Sequence, residues 1–165
     1  MDQHIDDIFH RLLLLFEEKQ VRFNLMRHAP EGRTDLASEI RGHRLECATK
    51  AMVVAVHRPK AAIAYFLAVV PGNRLIDFKA LKRIYNGDAK LASPEAAGEL
   101  TRCVMGAVPP LSFDARLNVV FDEHLLHEPE FVFNAGRLDA SIFINSADFL
   151  KITRPDTGSI SKPMR

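Results

Sequence analysis

The first residue that could take part in chemistry is a lysine in an apolar segment. Lys50 opens residues 50–57, a run that otherwise contains only Ala, Met and Val before its final His. Burying an ammonium group without a partner costs free energy. This lysine therefore either extends its charged end to water or serves as a fixed cation in a pocket for an anionic or carbonyl-containing substrate. Both alternatives stay open on the residues alone.

A rigid loop is predicted at residues 106–110, whose sequence is Gly-Ala-Val-Pro-Pro. Two consecutive prolines exclude a helix interior and a central strand. A fixed loop with a glycine can direct backbone N–H groups at one carbonyl oxygen, which is what an oxyanion site requires. The same residues would also fit an ordinary tight connection between two elements.

A thiol and a histidine pair are two further candidates. Cys103 would be a catalytic nucleophile only beside a base, and it also fits a small buried apolar residue. His124 and His127 would share one face of a helix, but a metal site needs further ligands, and none follows at a recognisable spacing. The chain has no motif typical of a P-loop, a Rossmann dinucleotide site or a serine hydrolase.

Apolar spacing and capping residues indicate the elements that would position these groups. Helices are predicted at residues 3–20, 35–41, 78–85, 94–101 and 147–152. The predicted caps are Thr34 or Asp35, Asp77, Ser93 and Ser146. Strands are predicted at residues 21–26, 50–57, 61–70, 118–121, 131–134 and 141–144. We expect the second and third of these strands to form a buried hairpin, although their alanine content would also fit helices.

These elements predict one α+β domain at residues 1–153, in which four or five helices wrap a mixed or antiparallel sheet. Residues 154–165 are expected to be a frayed C-terminal tail. The chain has 165 residues, of which 47% are hydrophobic and 26% charged, so disorder is not indicated. Residues 61–71, the longest uncharged apolar run, are too few to cross a membrane. Acidic residues ahead of the first Leu run argue against a signal peptide.

Charge and cysteine usage bear on partners and location. The net charge of +1 indicates no general polyanion-binding character. A modest basic cluster is either a solvated face or a contact for an RNA backbone; it comprises Arg74, Lys79, Lys82, Arg83 and Lys90. Two cysteines far apart in sequence form no disulfide framework, which fits a reducing cytoplasm.

Six short segments carry a further signal when they are taken in order. They are residues 38–42 (Ser-Glu-Ile-Arg-Gly), 49–53, 91–94, 100–110, 133–136 (Phe-Asn-Ala-Gly) and 147–150. In this order and spacing, over roughly residues 20–153, they resemble the YbaK family. These are aminoacyl-tRNA deacylases related to the editing domain inserted in bacterial prolyl-tRNA synthetases. The likeness is to the free-standing members.

The resemblance implies a mixed, barrel-like sheet surrounded by helices, and it implies a set of site residues. Lys50 matches the essential lysine of the family, and Gly106 and Pro109 match its G-x-x-P loop; these three are the predicted catalytic residues. The predicted substrate-binding residues are Ala107, Val108, Pro110, Asn134, Ser141 and His28. Some members carry Asn or Thr where this chain has Ala51, so the amino-acid specificity does not follow from the resemblance.

The implied activity is hydrolysis of the ester that joins a wrongly attached small amino acid to tRNA, in trans and without metal or organic cofactor. Alanine, serine and threonine are the first candidates. The implied partners are the aminoacylated 3′ end of tRNA and, as a further candidate, a synthetase. We expect a cytoplasmic monomer or weak dimer without a membrane contact. The alternatives are a non-catalytic binding module on the same fold and, more remotely, a metallohydrolase around His124 and His127.

Overall fold

The structure is a computed structural model that describes residues 7–164. Its helices are α1 (Ile8–Glu18), α2 (Thr34–Arg41), α3 (Phe78–Tyr85), α4 (Pro94–Thr101) and α5 (Ser146–Thr153). Its strands are β1 (Phe23–Arg27), β2 (Thr49–His57), β3 (Ala64–Pro71), β4 (Arg74–Ile76), β5 (Asp88–Leu91), β6 (Leu117–Asp122), β7 (Glu130–Asn134), β8 (Ala140–Asn145), β9 (Asp156–Gly158) and β10 (Ser161–Pro163). None of the helices in this part of the chain has the length and apolar character to span a membrane.

The described strands pair as three sheets. The five-stranded sheet has the order β5-β2-β3-β6-β9, with antiparallel pairs at the β2–β3 hairpin and parallel pairs at β3–β6 and β6–β9. A three-stranded antiparallel sheet has the order β1-β8-β7, and β10 pairs with β4. A parallel bridge between Ala48 and Val132 links the start of β2 to β7. The predicted α+β class, mixed sheet and hairpin are confirmed, whereas barrel-like closure is not.

Both faces of the five-stranded sheet are covered, because successive residues of a strand point to opposite faces. Val53 belongs to a large core that contains residues of α1, the three-stranded sheet and α5, with Phe16, Phe133 and Phe149 at 1% exposure or less. Its neighbour Val54 belongs to a second core under α3. The long apolar runs of β2 and β3 reflect this two-sided burial.

Capping explains where most of the helices begin. Asp77 accepts a hydrogen bond from the N–H of Ala80, and Ser93 accepts one from that of Ala96, as predicted. The predicted cap of α5 was wrong: the side chain of Asn145, not Ser146, accepts from the N–H of Asp148. Ser146 Oγ instead donates to the carbonyl of Glu128.

Two other helix starts differ from the prediction in smaller ways. The predicted cap of α2, Thr34 or Asp35, was wrong: the cap is Arg33, whose guanidinium has only donors and so makes no capping bond. Asp35 lies in the first turn and pairs with Arg33. Asp7 caps α1, so that helix begins at Ile8. The predicted helical positions 3–6 lie outside the described residues.

The frayed C-terminal tail is the main correction to the sequence prediction. Residues 156–158 extend the five-stranded sheet beside β6, and residues 161–163 pair with β4. Between them, Ile160 is completely buried, and its N–H donates to the carboxylate of Asp122 (3.1 Å). The strands are only three residues long and lack apolar alternation, so they form because β6 and β4 offer free edges.

Candidate active site

A hydrogen-bonded network joins three parts of the chain that are far apart in sequence. Asn134 on β7 lies opposite Ser141 on β8 in the strand register, and Ser141 Oγ lies 3.0 Å from Asn134 Oδ1. Asn134 Nδ2 donates to two backbone carbonyls, those of Glu31 and Gly106, each at 2.9 Å. The amide of one buried side chain therefore holds the loop before α2 against the loop that contains Gly106.

The polarity of this network follows from its two carbonyl acceptors. Because Nδ2 must face the carbonyls, Oδ1 of Asn134 is the atom that accepts the hydroxyl hydrogen of Ser141. Ser141 Oγ then accepts from Nη1 of Arg41 (3.2 Å) and lies 2.7 Å from Nε2 of His28, whose Nδ1 lies 2.8 Å from the carbonyl of Ala29. Ser141 is fully buried, whereas His28 is only partly buried, so His28 forms the outer end of the network.

The Gly106 loop is held in a conformation that only glycine adopts easily. Gly106 has a φ of +89°, and a Cβ there would lie 2.6 Å from both Cα and O of Gly32. Ala107, Pro109 and Pro110 are buried, and the carbonyl of Ala107 accepts from the N–H of Gly136 (3.0 Å). The loop is therefore fixed on both sides.

Few backbone N–H groups in this loop are available to a substrate. The N–H of Ala107 donates to the carbonyl of Val104 (3.0 Å), and Pro109 and Pro110 have no N–H. Within residues 7–164, the N–H groups of Gly106 and Val108 have no hydrogen-bond partner. Of the backbone N–H groups in the predicted oxyanion site, those of Gly106 and Val108 are therefore the two that could bind a substrate oxygen.

Lys50 lies outside this network. Its Nζ donates to the carbonyl of Arg74 (2.7 Å), and alternation along β2 places it on the same face as Met52 and Val54, which pack in the core under α3. Partial burial lowers the pKa of the Lys50 ammonium from its ordinary value. The structure thus brings together His28, Gly106, Asn134 and Ser141, while the grouping of Lys50 with them stays a prediction.

A cavity of about 240 Å³ lies on another side of the loop. Val108 and Pro109 line it together with residues of α1 and α4 and of the segment that follows the loop. Its charged lining includes Arg116, which pairs with Asp114 (2.7 Å) and Glu99 (3.4 Å). Val108 therefore lines this cavity and also carries one of the two unpartnered N–H groups of the loop.

The structure gives no support to the thiol and metal alternatives. Burial, with a small contribution from Asp7, raises the pKa of Cys103 to about 12, so the thiol is neutral near pH 7 and a poor nucleophile. His124 Nδ1 lies 2.9 Å from the buried carboxylate of Asp122. Residues 7–164 contain no group of three or more His, Cys, Asp or Glu side chains placed to hold a metal ion.

Arg41 is the network member that the sequence prediction missed. It ends α2, is 8% exposed and has no acidic partner within the described chain. Burial lowers the pKa of its guanidinium to about 10, which leaves it charged at neutral pH. The available signal was its spacing: it follows Ala37 and Ser38 on the buried face of a short amphipathic helix.

Comparison with known proteins yields one family. The model of the aminoacyl-tRNA editing domain matches residues 29–152. The chain is 36% identical over 148 residues, 88% of each chain, to the Multifunctional Ser/Thr-tRNA deacylase ProXp-y of Escherichia coli (strain K12).

Two crystal structures share the fold. One is of a putative trans-editing enzyme for prolyl tRNA synthetase, with a TM-score of 0.78 and 22% identity over 93% of this chain and 96% of that one. The other is of a hypothetical protein, with a TM-score of 0.83 and 19% identity over 92% and 99%.

Proposed function

The chain belongs to the aminoacyl-tRNA editing domain family and is an aminoacyl-tRNA deacylase, and we propose that it removes serine and threonine from mischarged tRNA in trans. The observation that carries the proposal is the fixed loop with two unpartnered N–H groups, at Gly106 and Val108, held from behind by Asn134. The choice of serine and threonine is supported by the printed activity of the 36% identical relative.

The loop would bind the carbonyl oxygen of the aminoacyl ester. The N–H groups of Gly106 and Val108 would donate to that oxygen, and their bonds would strengthen as it becomes negatively charged. The oxygen of a water molecule bonds to the carbonyl carbon, the ester C–O bond breaks, and the ribose oxygen takes the proton that the water loses. The adjacent ribose hydroxyl is the group placed to orient this water, so the reaction needs no protein nucleophile.

Lys50 would act on the tRNA side of the ester. Its ammonium group is fixed at the start of β2 by the carbonyl of Arg74, and a fixed cation suits a phosphate of the terminal adenosine. In this assignment Lys50 anchors the substrate, while the Gly106 loop stabilises the charge that develops on it.

Specificity would rest on the size and polarity of the space around the aminoacyl group. An apolar pocket separates substrates by only about 1–3 kcal/mol per methylene, whereas a pocket that hydrogen-bonds a hydroxyl rejects analogues without it far more strongly. The printed activity of the 36% identical relative, on Ser/Thr-tRNA, supports a pocket of the second kind here. We therefore expect alanine to be a poorer substrate than either.

The partner of this site is the aminoacylated 3′ end of tRNA. A synthetase that delivers the mischarged tRNA is a further proposed partner, supported by the fold shared with a putative trans-editing enzyme for prolyl tRNA synthetase. The monomeric or weakly dimeric state and the cytoplasmic location stay predictions.

Comparing two lysine variants would separate a deacylase from a non-catalytic binding module. Lys50→Ala is expected to lose most of the hydrolysis of seryl-tRNA, because the terminal adenosine is no longer anchored, while contacts with the rest of the tRNA maintain most of the binding. The matched control is Lys151→Ala, an exposed lysine on α5, which should behave as wild type. If the folded wild type binds charged tRNA but releases no amino acid, the chain is a binding module and the proposed reaction is wrong.

A further inference from the structure

A guanidinium group is buried beside the proposed site without a carboxylate partner. Arg41 is 8% exposed, and in residues 7–164 its side chain makes one hydrogen bond, from Nη1 to Ser141 Oγ (3.2 Å). Its Nε is buried and unpartnered. Burying an unpaired charge is unfavourable, so we expect this charge to have a use that outweighs its cost.

The acidic side chains near this network in sequence are either exposed or paired with other cations. Glu39, two residues before Arg41, is exposed on the surface of α2. Asp35, on the same helix as Arg41, pairs with Arg33 (2.7 Å), and Asp139, two residues before Ser141, pairs with Arg137 (2.8 Å). A negatively charged ligand at the site would supply the compensating charge. Ester hydrolysis supplies such a charge, because the carbonyl oxygen becomes an oxyanion when water adds.

The hydrogen bonds lead from Arg41 to the loop that would bind this oxyanion. Arg41 donates to Ser141 Oγ, Ser141 donates to Asn134 Oδ1 (3.0 Å), and Asn134 Nδ2 donates to the carbonyl of Gly106 (2.9 Å). Hydrogen bonds in such a chain polarise one another. A cation at its start strengthens the Ser141 bond and keeps the Asn134 amide from turning its oxygen towards the Gly106 carbonyl.

We propose that Arg41 is a positioning residue for deacylation: through Ser141 and Asn134 it fixes the Gly106 loop, and the substrate oxyanion compensates its charge. This inference rests on the proposed function. Because the negative charge forms during the reaction, Arg41 stabilises the transition state more than the bound substrate. Its loss should therefore lower kcat rather than raise KM.

The test is single-turnover hydrolysis of seryl-tRNA by Arg41→Ala, with and without guanidinium ion at a non-denaturing concentration. We expect Arg41→Ala to lower the rate roughly 10–100-fold, as small misplacements in active sites do, with little change in KM. Guanidinium should restore part of the rate by occupying the space left by the side chain. Urea, which has a similar shape and no charge, should not.

Two more variants separate positioning from a merely structural effect. In the double variant Arg41→Ala/Ser141→Ala, the hydroxyl that connects position 41 to Asn134 is missing. Guanidinium should therefore no longer restore the rate. Ser141→Ala alone should lower kcat about as much as Arg41→Ala, and the double variant should be little worse than either, because the two residues act in series. If Arg41→Ala does not fold, Arg41→Gln, which keeps a donor and loses the charge, should show the same loss of kcat.

The outcomes distinguish this inference from the proposed function. If wild type does not hydrolyse seryl-tRNA or threonyl-tRNA, the proposed function fails. If wild type is active and folded Arg41 variants keep its kcat, the positioning role is wrong. Rescue by urea as good as that by guanidinium, or rescue that persists without Ser141, would also overturn it.

Discussion

The two amide hydrogens of Asn134 face two carbonyl oxygens, and this pairing decides the orientation of the amide. Once Nδ2 is committed to Glu31 and Gly106, Oδ1 is the atom of Asn134 that faces the hydroxyl of Ser141. The bond from Nδ2 to the carbonyl of Gly106 depends on this single orientation, so the amide is one of the contacts that hold the Gly106 loop.

Replacing Asn134 by alanine should release the loop without unfolding the protein. We expect the rate of seryl-tRNA hydrolysis to fall about 100-fold, because the N–H groups of Gly106 and Val108 would no longer be held in place. Asn24→Ala, at an exposed position on β1, is the matched control and should keep the wild-type rate. Single-turnover kinetics on both variants would check this, and an Asn134→Ala enzyme as fast as the control would contradict it.

Some residues of the network were predicted from the sequence, and one was missed. The resemblance picked out His28, Asn134 and Ser141, which the structure brings together, but it could not give the direction of their hydrogen bonds. Arg41 was missed because a basic residue in the last turn of a helix is ordinary in a sequence. Its unusual feature is the lack of an acidic partner, which depends on three-dimensional packing.

Among the connecting segments, the Gly106 loop depends most on its backbone conformation. Gly106→Ala would combine an unfavourable φ of +89° with a Cβ placed 2.6 Å from the Gly32 backbone. We expect a loss of roughly 1–3 kcal/mol in the free energy of unfolding and a loss of deacylation. Urea denaturation and the seryl-tRNA assay would measure the two effects.

Gly98 on α4 provides the matched control for this glycine. A Cβ there has nothing within 4 Å, and the residue is helical. Gly98→Ala should therefore stabilise the protein by about 0.5–1 kcal/mol and leave deacylation unchanged. Equal stability changes at Gly98 and Gly106 would contradict the conformational argument.

Between the two C-terminal strands, Ile160 packs a completely buried apolar side chain against the rest of the molecule. Ile160→Ala should cost about 2–5 kcal/mol, because the residue is completely buried in the core under α3. Met164→Ala, at 51% exposure, should change stability by no more than about 0.5 kcal/mol. Thermal and urea unfolding would compare them, and a small effect at Ile160 would mean that the tail is dispensable.

Elements with strong local signals were predicted, and those that depend on a distant partner were not. The helices had spacing and capping residues, and the β2–β3 hairpin had two long apolar runs. β4, β9 and β10 have three residues each and β5 has four, which is too short for a periodic pattern. β5 and β9 pair with strands of the five-stranded sheet, and β4 and β10 pair with each other, so each of them depends on a partner far away in sequence.

Charge is distributed unevenly over the molecule despite the net value of +1. Lys79, Lys82 and Lys90 line a shallow depression on the surface of α3 and β5, where Lys82 pairs with Asp88 (3.2 Å). Arg74, from the same predicted cluster, instead donates to Ser161 on β10. Lys79 and Lys90 are the two remaining lysines of this depression, and their charge suits contact with a phosphate backbone.

We expect the rate of tRNA deacylation to fall steeply with salt concentration, since contacts with phosphates release bound counterions. Replacing both Lys79 and Lys90 by alanine should reduce this salt dependence. Replacing Arg22 and Lys151, which are exposed elsewhere, should affect it much less. A plot of kcat/KM against salt concentration for the two double variants would show the difference. Identical slopes would mean that Lys79 and Lys90 do not contact the tRNA.

The central claim concerns the whole molecule, and one measurement tests it most directly. Purified protein is incubated with tRNAs carrying labelled serine, threonine, alanine, cysteine or proline, and release is compared with spontaneous hydrolysis. We predict fast release of serine and threonine, slower release of alanine, and release of proline at the spontaneous rate. Release of serine and threonine at the spontaneous rate, by protein shown to be folded, would contradict the account.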